Sequence, residues 1–163
     1  ATAVKEYGHI FRNDPALAEK AAAVVERVRD LTEVIDEIGL GPTVELPALR
    51  VAYHDACSLQ HGQQICYPPR RLLTQAGFQV LEVPEGHICC GSAGTYNLLE
   101  PRLASRLAAR KAAHIESTGA EVVAAGNVGC MVQIASATEV PVVHTVELLD
   151  WATGGPKPPA LAG

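Results

Sequence analysis

The sequence predicts an α/β fold: a mostly parallel sheet of about four strands with flanking helices, preceded by a long N-terminal helix. Three observations carry that expectation. Between residues 17 and 38, apolar side chains recur at threes and fours, the helical period. From residue 49 to residue 152, short β-branched runs alternate with helix-patterned stretches, the order produced by right-handed βαβ crossovers. Hydrophobic residues make up 48% and charged residues 19% of the 163, a balance that supports one globular domain with a single core.

In chain order, the first element opens at Asp14, whose side chain can cap a helix with Pro15 at its first position, where a missing N–H is harmless. Leu17, Ala21, Val24, Val25, Val28, Leu31, Val34, Ile35 and Ile38 form its apolar stripe, and Gly39, Gly41 and Pro42 end it. Residues 49–54 (LRVAYH) predict a first strand, 68–77 (PPRRLLTQAG) a short helix closed by glycine, and 78–83 (FQVLEV) a second strand. Residues 100–119 predict an amphipathic helix with Leu103, Leu107, Ala108 and Ile115 on one side. Residues 121–125 (EVVAA) predict a strand, 131–138 a short helix, 140–144 (VPVVH) the last strand and 145–152 (TVELLDWA) the closing helix. The tail, 154–163 (GGPKPPALAG), is rich in Pro and Gly and is expected to be flexible.

Composition excludes several classes of function. The net charge of −5 gives no basic footprint for nucleic acid. No apolar run approaches the roughly 20 residues of a membrane span. The sequence contains no phosphate-binding loop, dinucleotide fingerprint or nucleophile elbow, and GSAG (91–94) follows two cysteines, which makes a phosphate cradle the weaker reading. The first residue is Ala1 and the one methionine, Met131, lies well inside, as expected of a processed chain or a piece of a longer polypeptide.

Chemistry is concentrated in the five cysteines: Cys57, Cys66, Cys89, Cys90 and Cys130. An odd count, an adjacent pair and no signal-like N-terminal pattern argue against a disulfide framework and for a reducing compartment. Cys57 follows the first predicted strand, Cys89 and Cys90 the second, and Cys130 the third. In a parallel sheet these positions converge at the carboxyl edge, where ligands gather. Four thiolates can hold zinc or an iron–sulfur cluster. With no C-x-x-C pair and two adjacent donors, a simple tetrahedral chelate is strained and the cluster is favoured. Gly91, Gly94, Gly126 and Gly129 leave room for a bulky group. Cys66 falls outside the set and reads as a small buried hydrophobe. His54, His61 and His87 flank the cysteine loops, and ordinary loop roles or support of the cysteines outweigh ligation for each. His114 and His144 read as structural, and Asp55 and Asn127 as turn and capping residues. Arg70 and Arg71 either offset the charge of the centre or line a solvated helix face.

The motifs around these cysteines, YHDACSLQHGQ (53–63), CCGSAGTYNLLEP (89–101) and AAGNVGCMVQI (124–134), resemble the cysteine-rich CCG domain family. That family occurs in heterodisulfide reductase subunits, lactate-utilisation proteins and the iron–sulfur subunit of glycolate oxidase, and the likeness is greatest to the last of these branches. VKEYGHIFRNDP (4–15) also resembles the segment that follows the first repeat there. The resemblance implies the C-terminal part of a longer subunit: a helical segment over 1–45, the cysteine-rich CCG domain over 46–153, and the tail. It further implies an electron-transfer domain, itself non-catalytic and inactive alone, with Cys57, Cys89, Cys90 and Cys130 as ligands of an iron–sulfur cluster of the 4Fe–4S type. An isolated piece could lack that cluster, and zinc is the alternative metal. The implied partners are FAD-containing subunits that oxidise glycolate to glyoxylate and, indirectly, a membrane electron acceptor, with no nucleic acid. The implied location is the cytoplasm, peripheral on the inner face of the cell membrane. One departure matters: Asn127 stands where related members carry a further cysteine, so disulfide-reductase chemistry is not carried over. A zinc-binding or metal-free interaction domain, and a thiol–disulfide redox domain working through Cys89 and Cys90, are the rival expectations.

Overall fold

The computed structural model of the protein describes residues 1–162. Gly163, the last residue of the expected tail, lies outside the described residues. Two single helical turns, α1 (Thr2–Lys5) and α2 (Tyr7–Ile10), precede the helices α3 (Ala18–Arg27) and α4 (Leu31–Ile38). The helical N-terminal segment is thus present, but it is divided. Val28 is extended, and Asp30 starts a new helix by accepting from Thr32 N–H, while Glu33 reaches back to the Asp30 N–H. This reciprocal cap satisfies orphan donors that a continuous helix would not have, which favours the break. Asp14 does cap a turn, accepting from the Ala16 and Leu17 N–H groups at 2.8 and 3.2 Å.

The sheet follows: β1 (Arg50–His54), then a π-helical turn (Ser58–Gly62) and α5 (Pro68–Gln75), then β2 (Gln79–Glu82). Next come α6 (Tyr96–Leu99), α7 (Pro101–Ser117), β3 (Val122–Ala125), α8 (Val128–Ala135), β4 (Val142–His144) and α9 (Thr145–Ala152). A 3₁₀ turn (Pro159–Leu161) completes the described chain, with Leu161 packed against the core. The four strands lie in the order β2-β1-β3-β4 and every pairing is parallel, as the strand–helix alternation predicts.

Alternation along the strands divides the core in two. Val51, Tyr53, Val122, Ala124 and Val143 face Leu72 and Leu73 of α5 and Leu148 and Leu149 of α9. Ala52 and Val123 face the other way, toward Ile115 of α7, Ile134 of α8, and the sulfur-bearing Cys90 and Cys130. The chain leaves β1 for β2 on one side and returns to β3 on the other, so the order of the strands reverses at β1. A crevice at the carboxyl ends of β1 and β3 follows from that reversal. His54 and Ala125 are register partners, so the two strands release their chains side by side into it.

On α7 the buried face is Ala104, Ala108, Lys111, Ala112 and Ile115, while Leu103 is exposed. The expected apolar side, with Leu103 and Leu107, is therefore rotated from the real one. Close approach decides it: small alanines let the helix lie against the glycine turn after the vicinal cysteines, where a Cβ on Gly91 would fall 2.5 Å from the Ala104 carbonyl oxygen.

Candidate metal centre

Three segments bring sulfur to the crevice. Cys57 opens the π-helical turn three residues beyond the end of β1. Cys89 and Cys90 follow the turn after β2 and precede Gly91, whose φ of +95° is natural only to glycine. Cys130 is not in a loop as expected. α8 starts earlier than the predicted 131, because the Asn127 side chain caps it by accepting from the Cys130 N–H at 3.1 Å. The capping role expected of Asn127 is what it performs, and it fixes Cys130 in the first helical turn.

The thiols of Cys57, Cys89, Cys90 and Cys130 influence one another. The Gly91 N–H donates to Cys89 Sγ at 3.3 Å, and Cys57 and Cys90 neighbour that sulfur. Cys90 has Cys130, His54 and the Ser92 backbone as its neighbours. The Cys130 thiol, the Ser92 N–H and the nearby His54 ring together hold Cys90 well below the ordinary thiol range despite burial. The Cys90 sulfur, with burial and the other neighbouring sulfurs, pushes Cys130 up. Burial, with like charge from Cys90 and Cys57, raises Cys89. The site thus favours one negative sulfur, at Cys90, solvated by its neighbours. A soft cation or a cluster would offset the repulsion between sulfurs that helps raise Cys89 and Cys130, so the residues present fit such a group.

His54, the last residue of β1, lies on the same side as the sulfurs. One donor atom each from His54, Cys90 and Cys130 falls within 4.8 Å of the others, and all three residues are buried. Neither ring nitrogen has a well-aligned hydrogen-bond partner. His61 and His87 have the loop role expected of them: the His61 ring meets the His87 carbonyl at 3.3 Å, tying the two cysteine loops together. His114 bonds the Pro84 carbonyl and His144 caps α9, both structural.

Around the sulfurs lie residues whose roles differ from expectation. Asp55 is no turn residue. It is buried and forms a two-pronged ion pair with Arg70 at 2.6 and 2.5 Å. Arg70 also bonds Glu82 and the Cys66 carbonyl and lies over the Tyr53 ring, 4.8 Å from its centroid. Arg71 pairs with Asp36 of α4. Both arginines therefore serve the framework rather than the sulfurs. Cys66 is partly exposed rather than buried, and its carbonyl accepts from Arg70.

Lys111 carries no signal as a functional residue in the expected pattern, yet it is 2% exposed, with Nζ donating to the Glu85 and Gly86 carbonyls at 3.0 and 3.4 Å. Burial lowers its pKa, while Cys90, Asp55, Glu85 and Cys89 oppose that shift. A lysine three residues after Ala108 and four before Ile115, in the middle of an alanine stripe, is the sequence signal that identifies it.

Residues 51–135 match the family described as the cysteine-rich domain CCG. The chain is 38% identical over 149 residues to the glycolate oxidase iron-sulfur subunit of Escherichia coli (strain K12), covering 91% of this chain and 37% of that one. It is 32% identical to the probable glycolate oxidase iron-sulfur subunit of Bacillus subtilis (strain 168), covering 91% and 36%. To lactate utilization protein A of Oceanobacillus iheyensis it is 29% identical, covering 90% and 63%. The chain thus spans little more than a third of the length of the first two relatives and under two thirds of the third.

Proposed function

The chain belongs to the cysteine-rich CCG domain family, and from that premise we propose that it is an iron–sulfur electron-transfer domain of a 2-hydroxy-acid oxidase complex, with Cys57, Cys89, Cys90 and Cys130 as ligands of a 4Fe–4S cluster. The observation that carries this reading is the convergence of four thiols from three separate segments on one crevice, with Cys90 and Cys130 buried together beside His54. Bound there, a cluster would supply one-electron acceptance and donation. The chain's own residues set the conditions. The Gly91 and Ser92 N–H groups aimed at Cys89 and Cys90, and the buried Lys111 cation nearby, stabilise added negative charge and so raise the potential. Burial of Cys90 and Cys130 acts in the opposite sense and keeps water off the sulfurs.

The names of the relatives support glycolate as the fuel of the complex. In this reading an FAD-containing partner subunit oxidises glycolate to glyoxylate, and this domain passes electrons toward a membrane acceptor from the cytoplasmic face. No helix among the described residues is long and apolar enough to cross a membrane, so attachment there would run through partners.

Anaerobic loading of the full chain with iron and sulfide, followed by iron counting and EPR of the reduced protein, tests the assignment. One cluster per chain is expected, lost in Cys57→Ser, Cys89→Ser, Cys90→Ser and Cys130→Ser and kept in Cys66→Ser. A wild-type chain that never takes up iron, and serine variants that still assemble with the flavin subunit, would sink it. The compact grouping of His54, Cys90 and Cys130 favours one second reading, an interaction domain held by zinc. Stoichiometric zinc with no visible absorption would establish that one instead.

A further inference from the structure

His54 is the least satisfied polar group in the crevice. Its side chain is 2% exposed, and beyond its approach to the Cys90 sulfur neither Nδ1 nor Nε2 has a hydrogen-bond partner. Buried imidazoles usually bond on at least one side, because burial otherwise strips both nitrogens of water for nothing in return. The ring is also held in place. It sits at the carboxyl end of β1, an inner strand paired on both sides, and it shares the Ala52 face that carries Cys90 and Cys130. A donor at the end of a central strand is fixed better than one in a loop.

What the ring faces explains the missing partner. A His54 nitrogen, the Cys90 sulfur and the Cys130 sulfur all lie within 4.8 Å of one another. Two ligands on one tetrahedral ion, with bonds of about 2.0 Å to nitrogen and 2.3 Å to sulfur, stand about 3.5 Å apart. Side-chain movements of about an ångström therefore close the three donors on a single ion.

We propose that His54 is a protein ligand of the centre, its imidazole bound to the same metal ion as the Cys90 and Cys130 thiolates. The proposal rests on the reading of these cysteines as metal ligands and describes the centre when it holds a single ion, because each iron of a 4Fe–4S cluster takes only one protein donor. Neutral imidazole is a common ligand for borderline metals, and one nitrogen among sulfurs distinguishes this centre from a four-thiolate one.

Co²⁺ alone, titrated anaerobically into the full chain, is the probe, since it reports its ligands through colour and X-ray absorption. One ion per chain is expected, with thiolate-to-cobalt charge-transfer bands and a cobalt-edge shell of one nitrogen near about 2.0 Å beside sulfurs at about 2.3 Å. That measurement uses the unmutated chain, so it stands even if variants misfold. His54→Gln should weaken Co²⁺ at least about tenfold and shift the d–d bands. His54→Cys should restore binding with stronger charge transfer, and Cys66→Ser should change nothing. A shell of sulfur only, or a His54→Gln chain with wild-type affinity and spectrum, overturns the proposal. The iron result is separate. Iron uptake with a sulfur-only cobalt shell, or with refusal of Co²⁺, removes His54 and leaves the cluster reading intact. Co²⁺ bound through His54 without iron uptake does the reverse, and a chain that binds neither overturns both.

Discussion

Gly91 shows how one residue can hold the centre together. Its φ of +95° is costly for any side chain, and a Cβ there would stand 2.5 Å from the Ala104 carbonyl. Both constraints come from the vicinal cysteines having to turn back against α7. Gly91→Ala should therefore cost about 1–3 kcal/mol in urea unfolding and abolish iron loading. Gly94 also has positive φ, but open space around its Cβ position, so Gly94→Ala should cost about 1 kcal/mol and leave loading intact. Equal losses in the two variants would show that backbone strain alone, not contact with α7, explains the glycine. Lys111 acts at the same scale: buried behind the cysteine turn, its Nζ pins the Glu85 and Gly86 carbonyls and couples electrostatically to Cys89 and Cys90.

Between elements, the important joint is the one that ties α5 to the ends of β1 and β2. Arg70 on α5 holds Asp55 just past β1 and Glu82 at the end of β2, and lies over Tyr53. The segment after β1 that carries Cys57 is thereby anchored two residues ahead of the sulfur. The hydrogen bond from Arg70 lowers the Glu82 pKa against a smaller opposing effect of burial. A carboxyl depressed in the folded state contributes stability above its ordinary range and loses it as pH falls through the lowered value. Arg70→Met should remove that part of the acid sensitivity, so the stability gap between wild type and variant narrows as pH drops below the carboxylate range. Circular dichroism with urea at a series of pH values reads it, and a gap constant with pH would remove Glu82 from the account. The contribution is small, because the Glu82 side chain is largely exposed.

For the molecule as a whole, the consequence is cooperative. The proposed ligands come from segments after three different strands, and His54 from a strand end, so a bound metal would cross-link most of the carboxyl edge at once. Anything that binds only the folded chain adds stability by mass action, about 2.7 kcal/mol at 100 times its dissociation constant. For a chain of this size that corresponds to roughly 5–10 °C in Tm. Calorimetry of loaded and chelator-treated protein should show a rise of that order, absent in Cys90→Ser. An unchanged Tm on stoichiometric loading would mean that the metal sits outside this edge.

The sequence by itself determined the alternation of strand and helix, the parallel sheet and the placement of Cys57, Cys89, Cys90 and Cys130 beyond strand ends. It also revealed Asn127 as a cap. These rest on local signals: periods of two and of three to four, and the turn and cap chemistry of near neighbours. The break at Val28 was also local, in Asp30 and Glu33, but the apolar stripe running through it masked the cap. Only the tertiary structure decided that His54 joins Cys90 and Cys130, that Asp55 belongs to Arg70, and that α7 turns Lys111 inward instead of Leu103. Those outcomes depend on contacts between residues far apart in the chain, and on how closely two backbones can approach at Gly91 and Ala104. No spacing along one strand or helix encodes that distance.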